Sequence, residues 1–239
     1  MSMLVSQSPL ATKDWTIRAA EPRDIPFLAR MMYEAALPPL NHCFWGDFLV
    51  GLDTPTIAFL EAILRADGCY WGSIQTFWIL EERGEPIAAA AGYESSVADY
   101  CPVNRSRLDQ IAQHLHWTAP VVEQFRQNYA EFWGGDYQPP FLKPFAPWTI
   151  ESVAVAPQAR GRGAGKFLVQ FLIDLGRDRQ YSHAGIMIIN GNVVAQRTYE
   201  SLGFKPYQTF HADYFQGFLN QVFPGLTGLR RTLQTTEGV

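Results

Sequence analysis

The sequence predicts a three-layer α/β protein around a mixed sheet of about six to seven strands, and three observations carry that expectation. Segments of strand length alternate with segments of helical apolar period along most of the 239 residues. Ala184 to Ile189 is a near-continuous apolar run, the pattern of a strand covered on both faces. Thr149 to Val155 reads as a strand that enters a turn holding three glycines, and the turn opens a helix. Hydrophobic residues at 47% and charged residues at 18% suit a chain able to bury a sizeable core. The length fits one large domain, or one domain carrying an insertion.

In order along the chain, Trp15 to Arg18 is expected as a first strand. After Glu21-Pro22-Arg23-Asp24, the residues Ile25, Leu28, Ala29, Met32 and Ala36 recur at helical spacing, and Pro38-Pro39 ends that helix. A second helix fits Thr54-Pro55 onwards, with Ile57, Leu60, Ile63 and Leu64 on one side. Phe77 to Leu80 and Ile87 to Tyr93 read as strands joined in a hairpin by charged residues and Gly84. Ser106 to Leu115 and Pro120 to Trp133 are helix-like, with Gly134-Gly135 and Pro139-Pro140 breaking the second. They form a helical insertion too short for a core of its own. Past the glycine turn, a helix over about 163–179 carries an apolar stripe of Phe167, Leu168, Phe171, Leu172 and Leu175, and Val169 and Ile173 extend it. A helix from Asn192 to Leu202 closes at Gly203, a natural left-handed C-cap. Phe204 to Phe210 and Leu229 to Leu233 supply two last strands.

Charge and cysteine content narrow the function classes. A net charge of −4 with no basic run argues against a nucleic-acid partner, as does a pI near 5.7. Met1 to Lys13 lacks the apolar core of a secretory leader, and no stretch reaches the length of a membrane span. Cys43, Cys69 and Cys101 are an odd, widely spaced set, read as free thiols in a reducing, cytoplasmic compartment. His114 and His116 lie two apart and point to different sides of a helix, and no zinc spacing is present, so no metal is expected.

The chemistry concentrates in the string from Glu151 to Lys166. Three glycines at 161, 163 and 165 strip side chains from a strand-to-helix turn. The first N–H groups of the helix lack intrahelical partners and sit at the positive end of its dipole. Together they suit a pyrophosphate. A Walker loop fails twice, with Arg160 where its first glycine belongs and Phe167 where a hydroxyl must hold magnesium. A dinucleotide fingerprint begun at Gly161 meets Lys166 where a small residue is needed. Arg160-x-x-Gly163-x-Gly165 remains. It resembles the acetyl-CoA motif of the GNAT superfamily of N-acetyltransferases, Q/R-x-x-G-x-G/A. The block Asn192-Val-Val-Ala195-Gln-Arg-Thr-Tyr199-Glu-Ser-Leu-Gly203-Phe204 is similar to that family's N-x-x-A-x-x-x-Y-x-x-x-G-F, and Ile17-Arg18-Ala19-Ala20 with Asp24 is similar to its opening. The close resemblance covers about 149–204, and the departure is Ala164, where the family usually has Ile or Val.

The resemblance implies the GNAT acyl-CoA N-acyltransferase fold over 1–239, with a splay between strands 4 and 5, an insertion over about 94–147 and an acetyl-CoA-binding core over about 148–206. It implies acetyl-CoA as co-substrate and transfer of the acetyl group to a primary amine in a ternary complex. The backbone of Val153 and Val155 would meet the pantetheine, and an N–H near Val153 would polarise the thioester carbonyl. The loop from Arg160 through Gly161, Arg162, Gly163, Ala164, Gly165 and Lys166 would hold the diphosphate, its cations screening the charge. Tyr199 matches the family tyrosine that protonates the CoA sulfur, against a reading as a core aromatic. Glu151 is the base candidate, placed on the side of Val153 by the two-residue period of a strand, against a purely electrostatic role. Asn192 orients CoA or caps the helix it begins.

The acceptor, a small amine in preference to a protein lysine or N-terminus, is expected between Tyr33, His42, Phe44, Trp45, Tyr207 and Tyr214, with the insertion between Glu94 and Trp148 as its lid and His211 and Asp213 near it. A homodimer is compatible with the sequence, and no membrane partner is expected. The rival from another class is a catalytically silent CoA-binding regulatory module of the same fold.

Overall fold

The computed structural model describes residues 14–96, 101–133, 140–215 and 223–234. The expected helix break at Gly134-Gly135 and Pro139, and the segment Met1 to Lys13, lie outside the described residues. Strands β1 (Trp15–Ala19), β2 (Phe77–Glu82), β3 (Glu85–Glu94), β4 (Trp148–Val155), β5 (His183–Ile189), β6 (Lys205–His211) and β7 (Gly225–Thr232) form one sheet in the order β1-β2-β3-β4-β5-β7-β6. Only β4 and β5 run parallel; the other neighbours are antiparallel. The mixed sheet with helices on both faces is the fold class the sequence predicts. The β2–β3 hairpin turns on Arg83 and Gly84, both at positive φ, 54° and 82°, the geometry that a two-residue turn needs to match strand twist.

Helices α1 (Ile25–Ala36), α2 (Thr56–Arg65), α3 (Leu108–Leu115) and α4 (Ala119–Trp133) cover one face, and α5 (Ala164–Asp178) and α6 (Val193–Glu200) the other. The insertion helices bury Ile111, Phe125, Tyr129 and Trp133 in the same apolar cluster as Leu28, Phe48 and Phe59, so the insertion shares a core with α1 and α2. On the opposite face α5 buries Ala164, Leu168, Val169, Leu172, Ile173 and Gly176. The stripe is therefore rotated from its predicted position: Phe167 is 45% exposed. It lies beside Trp15 at the sheet margin, and Phe171 lies beside Trp78.

Trp148 fixes the register at the sheet centre. It is fully buried between Gly92 and Gly176, where an added Cβ would approach its ring to 2.8 and 2.6 Å, and its Nε1 donates to Leu172 O at 2.9 Å. From there β4 pairs with β5 only over Trp148–Ile150 against Ala184–Ile186. Beyond those residues the two strands carry no mutual pairing, and the sheet opens into a wedge, the splay the resemblance implies.

β4 also contains a bulge, which the sequence pattern did not reveal. Ala91 pairs with Glu151 and Ala89 with Ala154, so β4 spends one residue more than β3 over that stretch, and Ser152 takes φ 53°. The extra residue reverses which side chains face which layer. Trp148 and Ile150 before it and Val153 and Val155 after it all join the α5 layer, whereas Ala154 joins the α1 layer. Strand alternation then puts Glu151 on the α1 face, opposite to Ile150. The predicted placement of Glu151 on the side of Val153 is corrected accordingly.

Candidate active site

The wedge between β4 and β5 opens into a cavity of about 1140 Å³, bounded by the glycine turn, α6, the α1–α2 connection and the insertion. That is slightly above the roughly 300 to 1,000 Å³ that small-molecule sites span.

Residues 157–163 place the glycine turn at the foot of the wedge. Gly163 is the N-cap of α5 at φ 85°, a left-handed conformation that a Cβ would strain, and Gly161 precedes it at φ 74°. The first backbone bond into the helix runs from Phe167 N–H to Gly163 O at 3.0 Å. The N–H groups of Ala164, Gly165 and Lys166 ahead of it are the unpaired donors of the helix start. All three residues line the cavity, as do Arg160, Gly161 and Gly163. Ala164 is buried beneath the turn, 2% exposed, and Gly165 packs against Val155 with room for no more than a tight methyl.

The cations of the turn divide in a way their spacing does not disclose. Arg160 donates from NH2 to Glu34 Oε2 of α1 at 2.7 Å and from Nε to Val155 O at 3.1 Å, so it ties the strand end to α1. Arg162 turns away from the cavity and ion-pairs with Glu82, which also accepts from Trp15 Nε1 at 3.1 Å. Arg162 is not among the lining residues, whereas Lys166 is.

The backbone of β4 presents an open edge. Ala156 N–H donates to Ile87 O at 2.9 Å, which makes the even-numbered residues of this stretch the ones bonded to β3. The N–H and C=O of Val155 and Val153 then point into the wedge. Arg160 already occupies one of these acceptors, the carbonyl of Val155.

Glu151 is half-buried at the cavity wall. Burial pushes its carboxyl up to about 7, against the opposing pull of the Ser152 N–H. Tyr199 of α6 lines the same cavity at 7% exposure, and its hydroxyl has no hydrogen-bond partner among the described residues. Burial, with the Glu151 charge adding to it, pushes its phenol well above the ordinary value. A phenol in that condition stays protonated at neutral pH, while the carboxyl sits near its midpoint: one donor and one acceptor facing one space. Asn192 Oδ1 accepts from Ala195 N–H at 3.2 Å, so it caps α6, and it lines the cavity as well.

Of the predicted acceptor walls, His42, Phe44 and Trp45 line the cavity, whereas Tyr33, Tyr207 and Tyr214 do not. His211 and Asp213 are exposed and also lie outside the lining. Arg230 stacks over the Tyr207 ring at 3.9 Å on the β6–β7 edge. The insertion, expected as a lid on the acceptor side, contributes Asn128, Glu131, Phe132, Phe141 and Phe145 to the lining, residues that the sequence reading did not single out. Phe145 rests in a depression that Gly185 and Gly228 leave on neighbouring strands. Those two glycines were the available signal. Among the described residues no cluster of three metal-ligating side chains occurs, and no helix is long and apolar enough to cross a membrane.

A sheet split between its parallel strands, with a bare helix start at the foot of the split and a cavity between them, is the frame this α/β fold sets around Glu151 and Tyr199. The chain belongs to the GNAT acetyltransferase family, whose model matches residues 53–204. Streptothricin acetyltransferase of Streptomyces lavendulae is 38% identical over 56 residues, 23% of this chain and 30% of that protein, so the match spans under a third of the relative. Among solved structures, yncA of Salmonella typhimurium with its cofactor acetyl-CoA is similar at a TM-score of 0.51 and 17% identity, over 94% of this chain and 97% of that one. An N-acetyltransferase from Staphylococcus aureus Mu50 is similar at a TM-score of 0.55 and 17% identity, over 90% and 100%. At those identities the likeness is one of fold.

Proposed function

We propose that this protein transfers the acetyl group of acetyl-CoA directly to a primary amine, a small molecule in preference to a protein lysine or N-terminus. The observation that carries the reading is that Glu151, with its carboxyl near 7, and Tyr199, with its phenol held protonated, share the cavity into which the glycine turn and the open β4 edge also face. Bound acetyl-CoA supplies the activated thioester carbonyl. The N–H groups of Ala164, Gly165 and Lys166 take its diphosphate, with Lys166 adding charge. Val153 and Val155 hold the pantetheine amides along the open edge, and the Val153 N–H sits against the thioester oxygen. Asn192 serves by capping α6 and so fixing Tyr199.

An aliphatic amine is mostly protonated at pH 7 and attacks only when neutral. Glu151 accepts that proton, directly or through a cavity water, and its raised carboxyl is matched to the task. Tyr199 O–H donates a proton to the departing CoA sulfur. Direct transfer is favoured over an acyl-cysteine route because Cys43, Cys69 and Cys101 all lie outside the lining. Burial, with the Glu151 charge contributing, also pushes the Cys69 thiol up to about 12.

The test is release of free CoA thiol from acetyl-CoA across a panel of amines and peptides. Tyr199→Phe lowers kcat by about 100-fold or more while leaving the KM for acetyl-CoA nearly unchanged. Equal kcat in the two proteins removes the acid role. Tight CoA binding with no turnover on any acceptor points instead to the silent regulatory module.

A further inference from the structure

Resting on that reading, we propose that the acceptor carries a second group that is cationic at neutral pH, and that Asp47, held by His42, is the seat for it, with Glu131 lining the same cavity. Two chain segments make this end of the cavity. Phe44–Leu49 is a short 3-10 turn in the α1–α2 connection, and α4 belongs to the insertion. The Asn128 amide locks them together, donating to Phe48 O at 3.1 Å and Val50 O at 2.7 Å. Glu131 lies three residues on from Asn128, on the same side of α4, and Asp47, Asn128 and Glu131 all line the cavity. Phe44 and Phe132, also lining it, are aromatic faces able to take a cation.

His42 holds the Asp47 carboxylate in place, its Nε2 lying 2.9 Å from Oδ1 and 3.0 Å from Oδ2. No lysine or arginine pairs with Asp47 or Glu131 among the described residues. The cations of the lining are Arg160, committed to Glu34, Lys166 at the glycine turn, and Lys143. A separate observation marks the same cavity as built for a ligand: the Tyr199 hydroxyl, on a side chain 7% exposed, has no hydrogen-bond partner among the described residues. The cavity thus offers anion-binding groups at the glycine turn, the acid and base on its walls, and carboxylates with aromatic faces on the wall formed by the turn and α4. A diamine fits that order: one nitrogen loses its proton to Glu151 and is acetylated, and the other stays charged against Asp47 and Glu131.

The experiment compares 1,5-diaminopentane with 1-aminopentane in the acetyl-CoA assay, on the intact protein and on Asp47→Asn and Glu131→Gln. The expected kcat/KM for the diamine exceeds that for the monoamine by about 10- to 100-fold, the worth of a charge-assisted contact. Each substitution brings that ratio down toward one, chiefly through KM. Glu131 sits on the exposed side of α4, so its variant keeps the test open if Asp47→Asn fails to fold. A ratio near one in the intact protein, or a ratio unchanged in both variants, overturns the proposal. If no amine is acetylated, the transfer reading has failed, and calorimetric titration with 1,5-diaminopentane decides the seat. Binding that Asp47→Asn or Glu131→Gln weakens upholds it, and absence of binding overturns it.

Discussion

Replacing Glu151 with glutamine tests the base assignment through stability as well as rate. The carboxyl is raised from 4.5 to about 7 by burial. A folded pKa above the unfolded one means that protonation favours the fold. The ionised side chain is then a cost, absent well below pH 4.5, growing as pH climbs through about 7 and fully in place above it. The shift corresponds to about 3 kcal/mol as a ceiling, at about 1.4 kcal/mol per pKa step. Glu151 is only half-buried and opens on the cavity, so water screening leaves about 2 kcal/mol. Glutamine keeps the shape and discards the charge. The variant should match the parent in thermal melts at pH 5 and exceed it at pH 8.5, by roughly 4 to 8 °C for a chain of this size. Its kcat/KM should fall by about 100-fold or more, and the parent's rise of kcat/KM with pH should have its midpoint near 7. Equal melting differences at the two pH values would falsify the burial argument, and a pH profile flat down to 5 would remove Glu151 as the base.

Two further perturbations probe the frame around the site. Trp148→Ala empties a fully buried site in contact with Gly92 and Gly176 and strands the Leu172 carbonyl; urea melts should show a loss of about 3 to 5 kcal/mol. Gly185→Ala places a methyl 2.8 Å from Phe145 Cε2 and 2.9 Å from Ala146 Cβ. It should cost about 1 to 3 kcal/mol by overpacking and raise the acceptor KM more than that of acetyl-CoA. An unchanged acceptor KM would show that the Phe145 wall does not touch the acceptor.

The part of the cavity lining supplied by the glycine turn and α6 was legible in the sequence because its determinants are local. A helix start with glycines at 161, 163 and 165 exposes its N–H groups whatever surrounds it, and Asn192 and Tyr199 are set seven residues apart on one helix. The opposite wall was not, because the residues that line it are far apart in sequence. Asp47 and Glu131 line one cavity, and it is α4 docked against the 44–49 turn through Asn128 that brings their segments together. Arg162 was misplaced for a related reason: its partner, Glu82, lies 80 residues away. Tyr207 and Tyr214 were expected on the acceptor side, but Tyr207 lies under Arg230 on the edge strand β6, and Tyr214 packs behind Phe141 without reaching the lining itself.

The sequence by itself determined the order of elements, the strand that ends in a glycine turn opening a helix, and the family to which the chain belongs, since each depends on short-range pattern and spacing. Only the tertiary structure decided which face Glu151 occupies, because a single extra residue at Ser152, accommodated against β3, reverses the alternation on which any reading of a strand relies. It also decided where β4 and β5 part, because pairing stops where the backbone groups of one strand no longer find those of the other, and no property of either strand alone marks that point.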